Sequence, residues 1–208
     1  MITVISKFNI KPNHIEMFKT AMLENQKEVQ KEAGNQEMKL FQDTNNPSIF
    51  FVYGRTKDEA ALNTHVAETE DRGIEERVKD ALAEPPTTYF LNETEPLPDH
   101  SKSANPEDDV FIIFFIFKIH KAFREKLLTQ FKTHIEHTRK EEKGNILFDL
   151  YTVQNDETTL AVYEHWRKES DVWDIHFNQP YAVITGKLME EAVVGDMKQY
   201  MHFVKEIN

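Results

Sequence analysis

The chain has 208 residues, enough for one large core or two small ones, and its 25 basic against 36 acidic residues leave a net charge of −11. That balance disfavours a grip on DNA, RNA or an anionic bilayer, each of which asks for a clustered basic surface. The absence of cysteine excludes a thiol nucleophile, a disulfide framework and a Cys-ligated metal or iron–sulfur site. Met1-Ile2-Thr3-Val4 runs straight into strand-like alternation without a basic-then-apolar leader, so a soluble cytoplasmic protein with no membrane or nucleic-acid partner is expected.

In chain order, Thr3 to Ile10 alternates as a strand that Pro12-Asn13 breaks. From His14 the period becomes helical, with Ile15, Phe18, Met22, Val29 and Ala33 on one face. Gly34-Asn35 is the expected stop, through a left-handed glycine. Met38 to Gln42 and Ile49 to Tyr53 read as strands around the turn at 43–47. Thr56 with Glu59 predicts a capping box opening a short helix that leads to His65. Ile74, Val78 and Leu82 mark a further helix before Pro85-Pro86, and Thr87 to Leu91 a fourth strand. Residues 93–109, rich in proline, small polar groups and carboxylates, offer little apolar area to repay ordering.

Val110 to Phe117 is an uninterrupted apolar run of β-branched and aromatic residues, the pattern of a strand covered on both faces and too short to span a membrane as a helix. After it the earlier order returns. A helix carries Phe123, Leu127, Phe131, Ile135 and Thr138, Gly144-Asn145 closes it, and strands follow at Ile146 to Val153 and Thr159 to His165. A short helix near Ser170 to Ile175 leads to His176, then come a helix with Tyr181, Ile184 and Leu188 and a strand from Lys198 to Val204. Phe8 and Ile10 match Phe117 and Ile119 at an offset of 109, Gly34 matches Gly144 at 110, and His65 matches His176 at 111. Single-residue drift is what small loop changes produce in a duplicated unit. The expected architecture is α+β, with a first unit over 1–95, a linker over 96–108 and a second unit over 109–208. Two ferredoxin-like units with antiparallel sheets packed face to face would shield each other's open faces, making the chain an internal pseudo-dimer, a dimeric α+β barrel compatible with further homodimerisation.

Glu142-x-Gly144-Asn145, Glu164-x-Trp166 and then His176 give the second unit a pattern that resembles the antibiotic biosynthesis monooxygenase domain family of dimeric α+β-barrel proteins. Glu32-x-Gly34-Asn35 and His65 resemble it in the first unit, where Tyr53 and Arg55 are read at the Glu-x-Trp places. The resemblance implies oxidation of an aromatic or quinol-type molecule by dioxygen without metal or flavin. Haem-degrading relatives are similar in fold but use a first-strand Asn, and here those places hold Ser6 and Phe115.

The residues themselves suggest compatible chemistry. Period two puts Leu160, Val162, Glu164 and Trp166 on one face of a strand and Ala161, Tyr163 and His165 on the other. An indole beside a carboxylate can stack a flat phenol whose proton passes to His176 or Glu164, with Tyr151, Tyr163, Phe115 and Phe148 as substrate-binding candidates. The plainer alternative makes Trp166 packing, Glu164 a pairing group and His176 a positioning residue, in a non-catalytic small-molecule-binding or protein-interaction module. A closed pocket reached by those three favours the enzyme, and a filled one favours the module. His134, His137 and Glu141 have helical spacing that suits a metal but lie in no metallohydrolase-like motif, so no metal or cofactor site is expected.

Overall fold

A computed structural model describes all 208 residues. The chain divides into one unit of Met1–Leu91 with Lys205–Asn208 and another of Asn92–Val204. No helix is long and apolar enough to cross a membrane.

The first unit contains β1 (Ile2–Asn9), α1 (Ile15–Val29), β2 (Asn35–Asp43), β3 (Ile49–Thr56), α2 (Glu59–Asp71), α3 (Ile74–Val78) and β4 (Thr87–Glu93). Its antiparallel strands lie in the order β4-β1-β3-β2. The expected face of α1 places Phe18, Met22 and Val29 against Leu40, Phe50 and Val52, and Ile207 from the chain end joins that core. The second unit repeats the plan with β5 (Phe111–Lys118), α4 (Arg124–Glu141), β6 (Asn145–Val153), β7 (Asp156–Trp166), α5 (Pro180–Ala192) and β8 (Met201–Ile207), in the order β8-β5-β7-β6. Both are ferredoxin-like α+β arrangements, as expected from the recurring strand–helix–strand–strand–helix–strand order. Leu127, Phe131 and Ile135 of α4 and Leu188 of α5 pack on Phe115, Phe117, Phe148, Leu150, Val162 and Trp166.

Several local expectations are corrected. Gly34 and Gly144 do not adopt left-handed backbone; an added Cβ would come 2.2 Å from Ala61 Cβ in one case and 2.3 Å from Asp171 Cγ in the other. Their role is to let the next helical segment approach the sheet. The cap of α2 is Asp58, whose carboxylate accepts from Ala61 N at 2.9 Å, and not Thr56, because β3 continues through Thr56. Ile184 faces solvent on α5, where Tyr181, Ala182, Thr185, Leu188 and Ala192 form the buried stripe. A 3-10 turn at Met197–Tyr200 delays the last strand to Met201.

The register also corrects the matching of the two units. Lys57 N donates to Gly34 O and Arg167 N to Gly144 O, both at 2.9 Å, so the offset at this strand end is 110. Gly54 and Thr56 therefore stand where the second unit has Glu164 and Trp166, whereas Tyr53 and Arg55 match Tyr163 and His165. The offset grows by one before the histidines because the second unit has a π-helical turn at Asp171–Ile175, a geometry that absorbs an extra residue.

Asp171 and Val172 in this turn are buried, so Gly144→Ala must push back packed structure. We expect it to cost roughly 2 kcal/mol, read from the urea midpoint. Gly34→Ala is expected to cost less, since α2 has no fully buried residue and can yield.

Candidate active site

Trp166, Glu164, Phe148 and Phe115 come together on the helix-covered face of the second sheet, and His176 on the 3-10 turn after the π turn joins them. Trp166 Nε1 donates to Glu164 Oε2 at 2.7 Å, and the indole lies 4.6 Å from the His176 ring. Tyr151 and Tyr163 do not belong to this group. Strand alternation turns them to the opposite face, where Tyr163 stacks on Phe114 at 4.7 Å and Tyr151 OH donates to Asp149 at 3.0 Å.

The partner of His176 is Glu142. Nδ1 of the histidine lies 2.9 Å from Glu142 Oε1, which also accepts from Tyr181 OH at 2.9 Å. The carboxylate favours a proton on Nδ1, which makes Nε2 the nitrogen that can exchange a proton with a substrate. The first unit repeats the arrangement: His65 Nδ1 lies 2.8 Å from Glu32 Oε2, while Arg72 donates to Glu32 Oε1 at 2.8 Å. Glu142 and Glu32 are the carboxylates of the two Glu-x-Gly-Asn segments. Their recurrence with a downstream histidine was the available signal for a pair that strand periodicity alone does not reveal.

Burial pushes the Glu164 carboxyl above its usual range; the Trp166 hydrogen bond and His176 oppose that shift, and nearby Glu142 adds to it. Burial raises the Tyr181 phenol, and its bond to Glu142 adds to the effect. His134 of α4 stacks on His176 at 4.8 Å, with both ring nitrogens lacking hydrogen-bond partners. Burial, aided by the neighbouring His176, lowers its pKa to about 3, so it is neutral at physiological pH. His137 instead pairs with Glu141 on the exposed side at 2.7 Å, so the helical spacing does not converge on a metal site.

Space is distributed unequally. In the second unit Trp166, His176 and Phe148 are at most 1 % exposed, and rings occupy the volume around the histidine. In the first, a cavity of about 100 Å3 is lined by Ser6, Met38, Gly54, Thr56, Leu62 and His65 among others. The expected pocket in the second unit is thus filled by aromatic side chains, and open volume lies beside the first unit's histidine.

A sequence model of the family described as antibiotic biosynthesis monooxygenase matches residues 1–76 and 110–183. No curated protein matches the chain by sequence. Among solved structures, a candidate monooxygenase of Fusobacterium nucleatum superposes with a TM-score of 0.83 at 12% identity, over 100% of this chain and 92% of that one. A candidate monooxygenase of Lactobacillus acidophilus gives 0.73 at 15% identity, over 99% and 93%. An anthrone oxidase-like protein gives 0.68 at 12%, over 100% and 91%. At these identities the likeness is one of fold.

Proposed function

The chain belongs to the antibiotic biosynthesis monooxygenase family, and from that premise we propose that it oxidises a small aromatic or quinol-type molecule with dioxygen, without metal or flavin. The observation that carries this reading is the histidine held by a buried carboxylate, present in both units at 2.8 and 2.9 Å. Such a ring is a base in a fixed orientation. Nε2 takes the phenol proton, the carboxylate stabilises the imidazolium, and the resulting phenolate is electron-rich enough to reduce dioxygen. For a hydroquinone, one oxygen atom enters the ring and the other leaves as water, with the substrate supplying all four electrons to yield a hydroxyquinone. The protein's part is to orient the ring, exclude water and hold the proton. In the first unit these roles fall to His65, which has open volume beside it; in the second, His176 is held in the same way, with Trp166 and Glu164 packed in the place of a substrate.

A second reading, a non-catalytic binding module, is favoured in the second unit by the rings that fill its site. Oxygen uptake with hydroquinone in metal-free buffer separates the two. Turnover that falls by about 100-fold or more when His65→Gln and His176→Gln are combined supports the base role. Uptake no faster than in buffer assigns the chain to the module reading.

A further inference from the structure

The strand register shows where the two units differ on their helix-covered faces. Phe115, Phe148, Glu164 and Trp166 of the second unit stand where the first has Ser6, Met38, Gly54 and Thr56. Each exchange puts a smaller side chain in the first unit, and part of the volume remains as the cavity of about 100 Å3. Val4, Val29, Val52 and Leu62 supply apolar wall, while His65 and Thr56, with Glu37 and Arg55 among the other lining residues, supply polar and charged groups. Thr56 Oγ1 is buried without a hydrogen-bond partner, an unsatisfied group that a ligand hydroxyl can satisfy.

We propose that this cavity is the ligand site of the chain, sized for a single aromatic ring bearing a hydroxyl, and that the corresponding place in the second unit is closed by that unit's own side chains. A dry apolar cavity of about 150 Å3 takes one benzene ring, so the 100 Å3 here takes a single ring only with a small outward shift of its wall and disfavours fused ones further. The cover on the two sites differs in the same sense. Over the cavity lies α2, none of whose residues is fully buried. Over the filled site lies the turn anchored by Val172 at 0 % exposure and by buried Asp171 against Gly144. Entry to the first site therefore disturbs little packing, and entry to the second must displace Trp166 or Phe148. The inference rests on the oxygenase reading only for the chemistry after binding.

The test uses the full chain with 13C-methyl methionine, titrated anaerobically with hydroquinone and, separately, with 1,4-dihydroxynaphthalene. Met38 lines the cavity, while Met189 packs against the second unit's core. Saturable movement of Met38 by hydroquinone, with Met189 unmoved and the naphthalene at least 10-fold weaker, is the expected result. Ser6→Phe, which places in the cavity the residue found at Phe115, is expected to abolish that movement while Met189 keeps its folded position in the spectrum. His65→Gln, a milder change, is expected to weaken binding several-fold. Movement of Met189 instead, equal binding of the fused ring, binding undiminished in Ser6→Phe, or no saturable shift would overturn the site. Binding at Met38 without oxygen uptake would leave the site standing and remove the oxygenase reading; uptake undiminished by Ser6→Phe would do the reverse.

Discussion

Asp149→Ala is expected to lower the unfolding free energy by about 3 kcal/mol, the scale of removing a buried carboxylate that accepts several hydrogen bonds from charged and polar partners. Its side chain is 0% exposed and meets Arg139 Nη2 at 2.7 Å, His100 Nε2 at 2.8 Å and Tyr151 OH at 3.0 Å. Removing it takes an acceptor from three groups at once, although Arg139 keeps its bonds to Phe148 O and Leu97 O. His100 belongs to the acidic, proline-bearing stretch before β5, which is otherwise tied down by Thr94 to Leu150 O, Lys102 to Arg139 O and Asn145 O, and Asp108 to Arg167. That stretch is ordered by polar bonds and not by apolar burial, so losing Asp149 should also speed proteolytic nicking within residues 96–108. Asp149→Asn, which keeps an acceptor for Tyr151, should fall between the two. Equal urea midpoints for Asp149→Ala and the parent would refute the account.

The second large effect concerns pH. His134 titrates near 3 in the folded chain and near 6.5 when unfolded, so the unfolded state binds the proton more readily between those values. The stability that the neutral buried ring permits is complete above about pH 6.5 and is lost as pH falls toward 3. Between pH 7 and pH 4 this one group should withdraw about 3 kcal/mol. Glu164 acts in the opposite sense: its raised pKa means that the folded state holds the proton more tightly, which favours folding on the acid side. His134→Phe keeps a ring against His176 and Phe148 and removes the titration, so its stability should fall less steeply from pH 7 to pH 4. Parallel pH profiles for the two proteins would show that His134 is not the acid-labile group.

Much of the fold is legible because it rests on local pattern. The run from Val110 to Phe117 has the composition of a doubly covered strand, and β5 is found there with Phe114 and Phe117 at 0 % exposure. The helical stripe of Phe18, Met22 and Val29 recurs as Leu127, Phe131 and Thr138, all buried. Trp166, Glu164 and His176 were legible as neighbours because period two and one short connection join them. Tyr151 and Tyr163 were misplaced although the same period, applied to them, turns each away from Glu164. The matching of Tyr53 and Arg55 to the Glu-x-Trp places failed because spacing cannot show a π turn, which adds a residue without lengthening a loop.

By itself the sequence determined the strand and helix order, the duplication, the lack of thiol chemistry and the resemblance to an oxygenase family, since each is a property of residue types and their intervals. Only the tertiary structure decided that Glu142 and Glu32 hold the histidines, that glycine serves close approach and not a left-handed turn, and that open volume lies beside His65 and not His176. Those depend on which side chains from distant strands meet across a face, and volume left between them is a difference among many residues that no single interval in the chain records.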